Sequence, residues 1–127
     1  MTKDSTTLLG PRVVRLPTLP DDLDSLKWEE HSSHGREGAR IHTLYQCPEK
    51  GQKVALVHCR PGTTAKSHRH EGHESIYVIR GSFQDDFGIY SAGDLAVYPD
   101  GSEHGWCSPE GGVMYVVWGA PVHSVSY

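Results

Sequence analysis

A single all-β domain is what this sequence predicts, on two observations. Six short runs rich in β-branched and aromatic residues, "ARIHTLYQ", "KVALVHC", "ESIYVIR", "SFQDDF", "DLAVYP" and "GVMYVVWG", follow one another between Ala39 and Gly119. No segment of a dozen residues sustains a 3.6-residue apolar period, and fourteen glycines with eight prolines interrupt the chain too often for helices. Short strands joined by tight turns suit a sandwich or a small closed barrel, architectures that leave few strand edges open.

The elements follow in order. Residues 1–25 read as an N-terminal tail, polar at "MTKDSTTLLG" and broken at Gly10-Pro11, in which "VVRLP" (Val13 to Pro17) is a possible first, pairing strand. "LPTLPDDLD", with two prolines and three aspartates, cannot continue a sheet. "SLKWEEHSS" reads as a short strand before a turn at Gly35 to Gly38. Residues 26–127 then form the barrel, with hairpin turns expected at "RGS" (Arg80 to Ser82) and "SAGD" (Ser91 to Asp94), which favours antiparallel pairing. The run Val113 to Val117 is apolar at consecutive positions, as in a strand buried on both faces.

Composition excludes several functions. With 127 residues and 36% hydrophobic content, one domain can bury roughly two thirds of its unfolded surface. The net charge of −4 and the scattered twelve Lys and Arg leave no footprint for a phosphate backbone, so nucleic acid is not an expected partner. The N-terminus lacks a secretory apolar core and "GVMYVVWGAPV" is too short to cross a bilayer, so a cytoplasmic protein without membrane contact is expected. Cys47, Cys59 and Cys107 contain no C-x-x-C pair and are expected as reduced thiols.

The chemistry concentrates in "HRHEGHESIYVIRG", His68 to Gly81. On a strand, alternate side chains share a face, so His68 and His70 project together, about 7 Å apart at the backbone. Neutral imidazoles can converge on an ion, and a carboxylate nearby adds a harder oxygen. Glu74 has the same parity, with Gly72 giving the backbone room to turn. An isolated H-x-H is also compatible with ordinary surface histidines. A helical metalloprotease motif does not fit, because His70 and His73 are three residues apart where H-E-x-x-H places its histidines four apart. His73, of opposite parity, is a rim or second-shell residue or simply solvated.

A second motif, "GDLAVYPDGSEHGW", supplies His104. Gly62, five residues, His68-x-His70, three residues, Glu74, six residues, Gly81 matches the first cupin motif, and Gly93, five residues, Pro99-x-Gly101, two residues, His104 matches the second. Ser108 stands where the second motif often has asparagine. The sequence therefore resembles the cupin superfamily. More closely, Trp28 to Gly119 resembles the ChrR-type cupin-like domain and its stand-alone relatives, including acetylacetone-cleaving-type dioxygenases.

The resemblance implies an RmlC-like jelly-roll barrel of two antiparallel sheets binding one divalent metal ion through His68, His70, Glu74 and His104. Iron, zinc, manganese and nickel all suit such donors, and zinc is the ion the ChrR likeness implies. Glu74 sets the chain apart from the acetylacetone-cleaving type, whose iron is held by three histidines. The stretch before Trp28 is too short for the helical zinc-binding domain of ChrR, so anti-sigma activity is not expected.

Three functions follow. The first is an oxygenase acting on a small diketone-like, hydroxy-carbonyl or aromatic compound. The others are a non-catalytic metal-binding or redox-sensing module and a metal-dependent isomerase or polyketide cyclase. Ile76, Val78, Tyr98, Trp106 and Tyr115 are candidates to line a pocket, although such residues in a small barrel are commonly core. His58 is a second-shell candidate, and Cys107 is either an oxidant sensor or an inert small hydrophobe. A homodimer is also implied by the family.

Overall fold

The computed structural model describes residue 13 and residues 23–32, 35–120 and 122–124. Its architecture is nearly all strand. After a 3-10 turn at Leu23–Ser25 come β1 (Glu29–Glu30), β2 (Glu37–Gln46), β3 (Lys53–His70), β4 (Glu74–Asp85) and β5 (Gly88–Ser91). They are followed by β6 (Leu95–Tyr98), β7 (Glu103–Ser108), β8 (Gly112–Trp118) and β9 (Val122–Ser124). Every pairing is antiparallel.

Two long strands serve both walls of the barrel. The first half of β3, Lys53 to Cys59, lies between β2 and β8, while its second half pairs with β7 and β9. The switch falls at Pro61-Gly62, where proline has no ladder donor to lose and Gly62 adopts φ 88°. Likewise β4 pairs through Glu74 to Tyr77 with β6 and β8, and through Ser82 to Asp85 with β5. One wall is thus β1-β2-β3-β8-β4-β6 and the other β9-β3-β7-β4-β5, joined into one hydrogen-bonded network because β3 and β4 are shared. This is the cupin jelly roll.

Two single-residue bulges aim side chains into the barrel. In β3, Ala55, Val57, Cys59, Thr63 and Ala65 form a buried odd series, while Leu56, also buried, lies outside the core cluster that Ala55, Val57 and Cys59 join. Between Ala65 and His68 the register with β7 slips by one, and the buried series becomes His68 and His70. In β4, Glu74, Ile76 and Val78 are buried; the slip between Val78 and Arg80 then turns Phe83 and Asp85 inward. Gly81 completes that bulge at φ 77°, and any Cβ there would collide with the carbonyl oxygen of Gly111 and the Cα of Gly112.

Several expectations are corrected by these ladders. "RGS" is not a hairpin turn, because β4 runs through it; the turn lies at Asp86-Phe87, where Asp85 Oδ1 accepts from the amides of Phe87 and Gly88 at 2.9 and 3.2 Å. "SAGD" is a turn but joins two strands that both pair with β4, with Gly93 N donating to Val78 O at 2.8 Å opposite the bulge. Gly38 belongs to β2 and not to a turn, its φ of 93° absorbing a register slip. Val113 to Val117 is not buried throughout: Val113, Met114 and Val116 are, while Tyr115 and Val117 are half-buried on the other face. Of the possible strand Val13 to Pro17, only exposed Val13 is described, without regular structure. No helix among the described residues is long and apolar enough to cross a membrane.

The core fills the barrel with Ile41, Val57, Ile76, Val78, Phe83, Met114, Val116 and Trp118 among others. Val78, fully enclosed, contributes on the order of 2 kcal/mol by burial alone.

Candidate metal centre

Four polar side chains interrupt this core. His68 and His70 leave the end of β3, Glu74 opens β4 after the Glu71-Gly72-His73 turn, and His104 stands on β7 directly across the ladder from His68. All four are buried, and one ligand atom from each lies within 4.8 Å of the others. The imidazole centroids are 5.1, 4.8 and 4.9 Å apart for the pairs His68–His70, His68–His104 and His70–His104.

The loops carrying these residues are tied together. His70 N donates to Ser102 O, Gly101 N donates to His70 O, and Gly72 N donates to Asp100 Oδ1. Gly72, at φ 79°, makes the reversal that returns Glu74 to the same face as the histidines.

Hydrogen bonds fix the tautomers. His68 Nδ1 faces the carbonyl of Lys66 at 2.9 Å, which can only accept. Ser102 spends its hydroxyl proton on Pro99 O, so its oxygen accepts from His70 Nδ1 at 3.0 Å. His104 Nδ1 meets the carboxylate of Asp85 at 3.1 Å. Each ring therefore carries its proton on Nδ1 and presents the Nε2 lone pair inward, the arrangement in which outer partners orient metal-ligating imidazoles.

What those lone pairs meet tests whether a cation fits. Nε2 of His70 and of His104, with Oε1 of Glu74, are buried without hydrogen-bond partners. Glu74 Oε1 nevertheless lies 2.7 Å from His70 Nε2 and 3.8 Å from His104 Nε2. Two acceptors at 2.7 Å repel unless a positive charge lies between them. Three neutral imidazoles and one carboxylate form a donor set of charge −1, suited to a divalent ion.

Electrostatics keep the donors in metal-ready states. Burial pushes His68 down to about 4, against the opposing bond to Lys66, and burial also lowers His104. Burial alone would raise Glu74, but the imidazoles of His70, His104 and His68 outweigh it and hold the carboxyl below its usual range. For the metal-free protein this gives a signed prediction. Between 6.5 and about 4 the unfolded chain holds the His68 proton and the native site does not. Acidification through that window should cost stability on the order of 3 kcal/mol, and urea denaturation of metal-free protein at stepped pH checks it.

Asp85, which parity arguments missed, anchors the site from behind. Its side chain is fully enclosed, and Oδ2 accepts from Tyr98 OH at 2.6 Å as well as from His104, while Oδ1 accepts from Tyr90 OH at 2.9 Å. Burial favours its neutral form, but the bonds from Tyr98, His104, Phe87 and Tyr90 together hold its carboxyl below its ordinary value.

Beside the centre is a small cavity lined by Glu74 together with Ile76, Phe83, Trp106, Met114 and Arg36, among others. The pocket candidates divide accordingly. Ile76 and Trp106 line it; Val78 is enclosed in the core; Tyr98 stacks on the site, 4.2 Å from His104 and 5.4 Å from His70. Tyr115 is off the cavity, on the opposite face of β8 and paired with Leu56 and Tyr77. His58 lies away from the four donors, its Nδ1 accepting from Arg40 Nε at 3.2 Å and its ring 5.8 Å from Trp28. Its position alternates with inward Val57 and Cys59, so it faces out of the barrel. His73 is exposed on the turn, its carbonyl accepting from Gly119 N. Ser108 hydrogen-bonds Ser82 O at 2.6 Å, locking β7 to β4.

Comparison with known proteins agrees with this fold. The family model for the ChrR cupin-like domain matches residues 21–123. No curated protein matches the sequence. Among solved structures, an acetylacetone dioxygenase from Acinetobacter johnsonii is similar, with TM-score 0.75 and 16% identity over 93% of this chain and 80% of that one. The polyketide cyclase RemF from Streptomyces resistomycificus gives TM-score 0.68 and 21% identity over 94% and 87%. Rhodobacter sphaeroides SigE in complex with the anti-sigma ChrR gives 0.63 and 21% over 76% and 51%. At these identities the likeness is one of fold.

Proposed function

This chain belongs to the ChrR cupin-like family, and on that premise we propose that it is a metal-dependent enzyme of oxygenase type acting on a small carbonyl or aromatic compound. The observation that carries the reading is the convergence of inward imidazole lone pairs with a buried carboxylate that also lines a cavity. His68, His70, Glu74 and His104 would hold the ion. When bound, iron, manganese or nickel would supply redox chemistry with dioxygen, and zinc would supply Lewis acidity.

The chain's own residues do the rest. Lys66 O, Ser102 and Asp85 hold the three rings against rotation, so that the donor set is organised before an ion arrives. Phe83, Trp106, Met114 and Val116 keep the cavity apolar and favour the hydrophobic part of a small ligand over water.

Elemental analysis of protein purified without added metal, followed by oxygen-electrode assays with small diketones, hydroxyketones and phenols, tests the reading. Bound iron with substrate-dependent oxygen uptake supports it. The family match favours one other reading, a non-catalytic metal-binding or redox-sensing module like the ChrR domain; tightly held zinc without turnover selects it. Turnover without oxygen selects a metal-dependent isomerase or cyclase.

Self-association belongs to the same proposal. Tyr77, Leu95 and Val97 are 42, 61 and 54% exposed, and Tyr77 pairs with Leu95 across the β4–β6 ladder, giving β6 an apolar outer face. Sedimentation velocity is expected to show a dimer that Leu95→Glu converts to monomer.

A further inference from the structure

Trp118 is 7% exposed, its indole Nε1 is buried, and no group among the described residues accepts its proton. The ladders set its place. Strand β8 runs between β3 and β4, so Trp118 stands across from Lys53 on one side and from Glu74, a member of the donor set, on the other. The ring of His31 at 6.0 Å and the ammonium of Lys53 at 5.8 Å pack on the indole and restrict its rotation. A buried donor left unpaired is costly, and a ligand that brings the acceptor removes the cost.

Trp118 and Glu74 line the same small cavity, about 30 Å³, which has room for a molecule of about two or three heavy atoms. Val57, Ile76, Met114 and Val116 make its walls largely apolar. Of the other polar residues around it, Arg36 and His31 already have interactions of their own. The indole N–H is the donor that remains.

We propose that this cavity takes a linear ligand of two or three atoms that ends in a hydrogen-bond acceptor, dioxygen in the oxygenase reading, and that Trp118 Nε1–H donates to its outer atom. The proposal rests on reading His68, His70, Glu74 and His104 as one metal centre. Trp118 is then a positioning residue, whose fixed N–H favours ligands with negative charge on the atom that it meets. An aromatic ring exceeds the space, so an organic substrate enters it only in part, whereas dioxygen fits whole.

Titration of cobalt-loaded protein with azide, a linear three-atom anion, tests this through the visible spectrum of the cobalt, with benzoate as the oversized control. Azide is expected to perturb the spectrum saturably and benzoate to leave it unchanged. Trp118→Phe, which keeps a ring and removes the N–H, should weaken azide about tenfold with cobalt content unchanged. In zinc-loaded, 15N-labelled wild-type protein the Trp118 indole resonance, identified by elimination from spectra of Trp28→Phe and Trp106→Phe, should move as azide is added. That measurement decides if Trp118→Phe does not fold. Equal azide affinity in Trp118→Phe, an indole resonance unmoved at saturating azide, or benzoate bound as tightly as azide overturns the proposal. Cobalt uptake with no effect of azide overturns it too and leaves the metal centre standing, whereas a wild-type chain that takes up no metal sinks both.

Discussion

Replacing His104 with alanine is expected to reduce bound metal from about one ion per chain to below about a tenth, while the far-UV spectrum remains that of a folded β-protein. His104 is the sole donor that β7 contributes, so its loss removes one of three nearly equidistant imidazoles. The remaining three donors come from the end of β3 and the start of β4. Folding survives because the apolar cluster of Ile41, Val57, Val78, Phe83, Met114 and Trp118 does not include His104. His70→Ala should behave in the same way, with the added effect of leaving Glu74 without its neighbour at 2.7 Å. Dialysis against chelator followed by reloading and elemental analysis reads both variants; stoichiometric metal in either would remove that residue from the donor set.

Asp85→Ala should weaken metal binding by about 10- to 100-fold without touching a donor. The carboxylate fixes the His104 ring through Nδ1 and also takes the hydroxyl protons of Tyr98 and Tyr90. Its removal leaves those groups and the amides of Phe87 and Gly88 without their acceptor, at a cost on the order of 3 kcal/mol in stability. Asp85→Asn keeps the volume and one acceptor oxygen and should fall between the two. Competition with a chromophoric chelator measures the first effect and urea denaturation the second. Unchanged affinity in Asp85→Ala would show that the ring needs no such support.

Much of this was legible in the sequence because two motifs fixed the spacing of His68, His70, Glu74 and His104, and because glycine and proline punctuate the strands. What stayed hidden lies at the bulges. Strand parity read from Glu74 places Asp85 outside the barrel, with Ser82 and Gln84 inside; the extra residue at Val78 to Arg80 reverses this. The same effect in β3 means that His68 and His70 face inward only because the ladder slips after Ala65. A one-residue slip leaves no compositional mark, since it depends on a partner strand about forty residues away. The reading of "RGS" as a hairpin failed for the related reason that Gly81 serves a bulge, and glycine's left-handed backbone suits turns and bulges alike. Arg36 could not be foreseen either, as nothing in "HGREGAR" distinguishes a buried arginine from a solvated one. Five consecutive apolar residues likewise hide the alternation that puts Tyr115 on the face of β8 away from Met114 and Val116.

X-ray absorption at the zinc edge, on protein loaded with one equivalent, tests most directly whether these four side chains share one ion. The expected spectrum is a nitrogen and oxygen shell at about 2.0–2.2 Å with multiple scattering from three imidazoles. A sulfur shell, or scattering from fewer than two imidazoles, would contradict it.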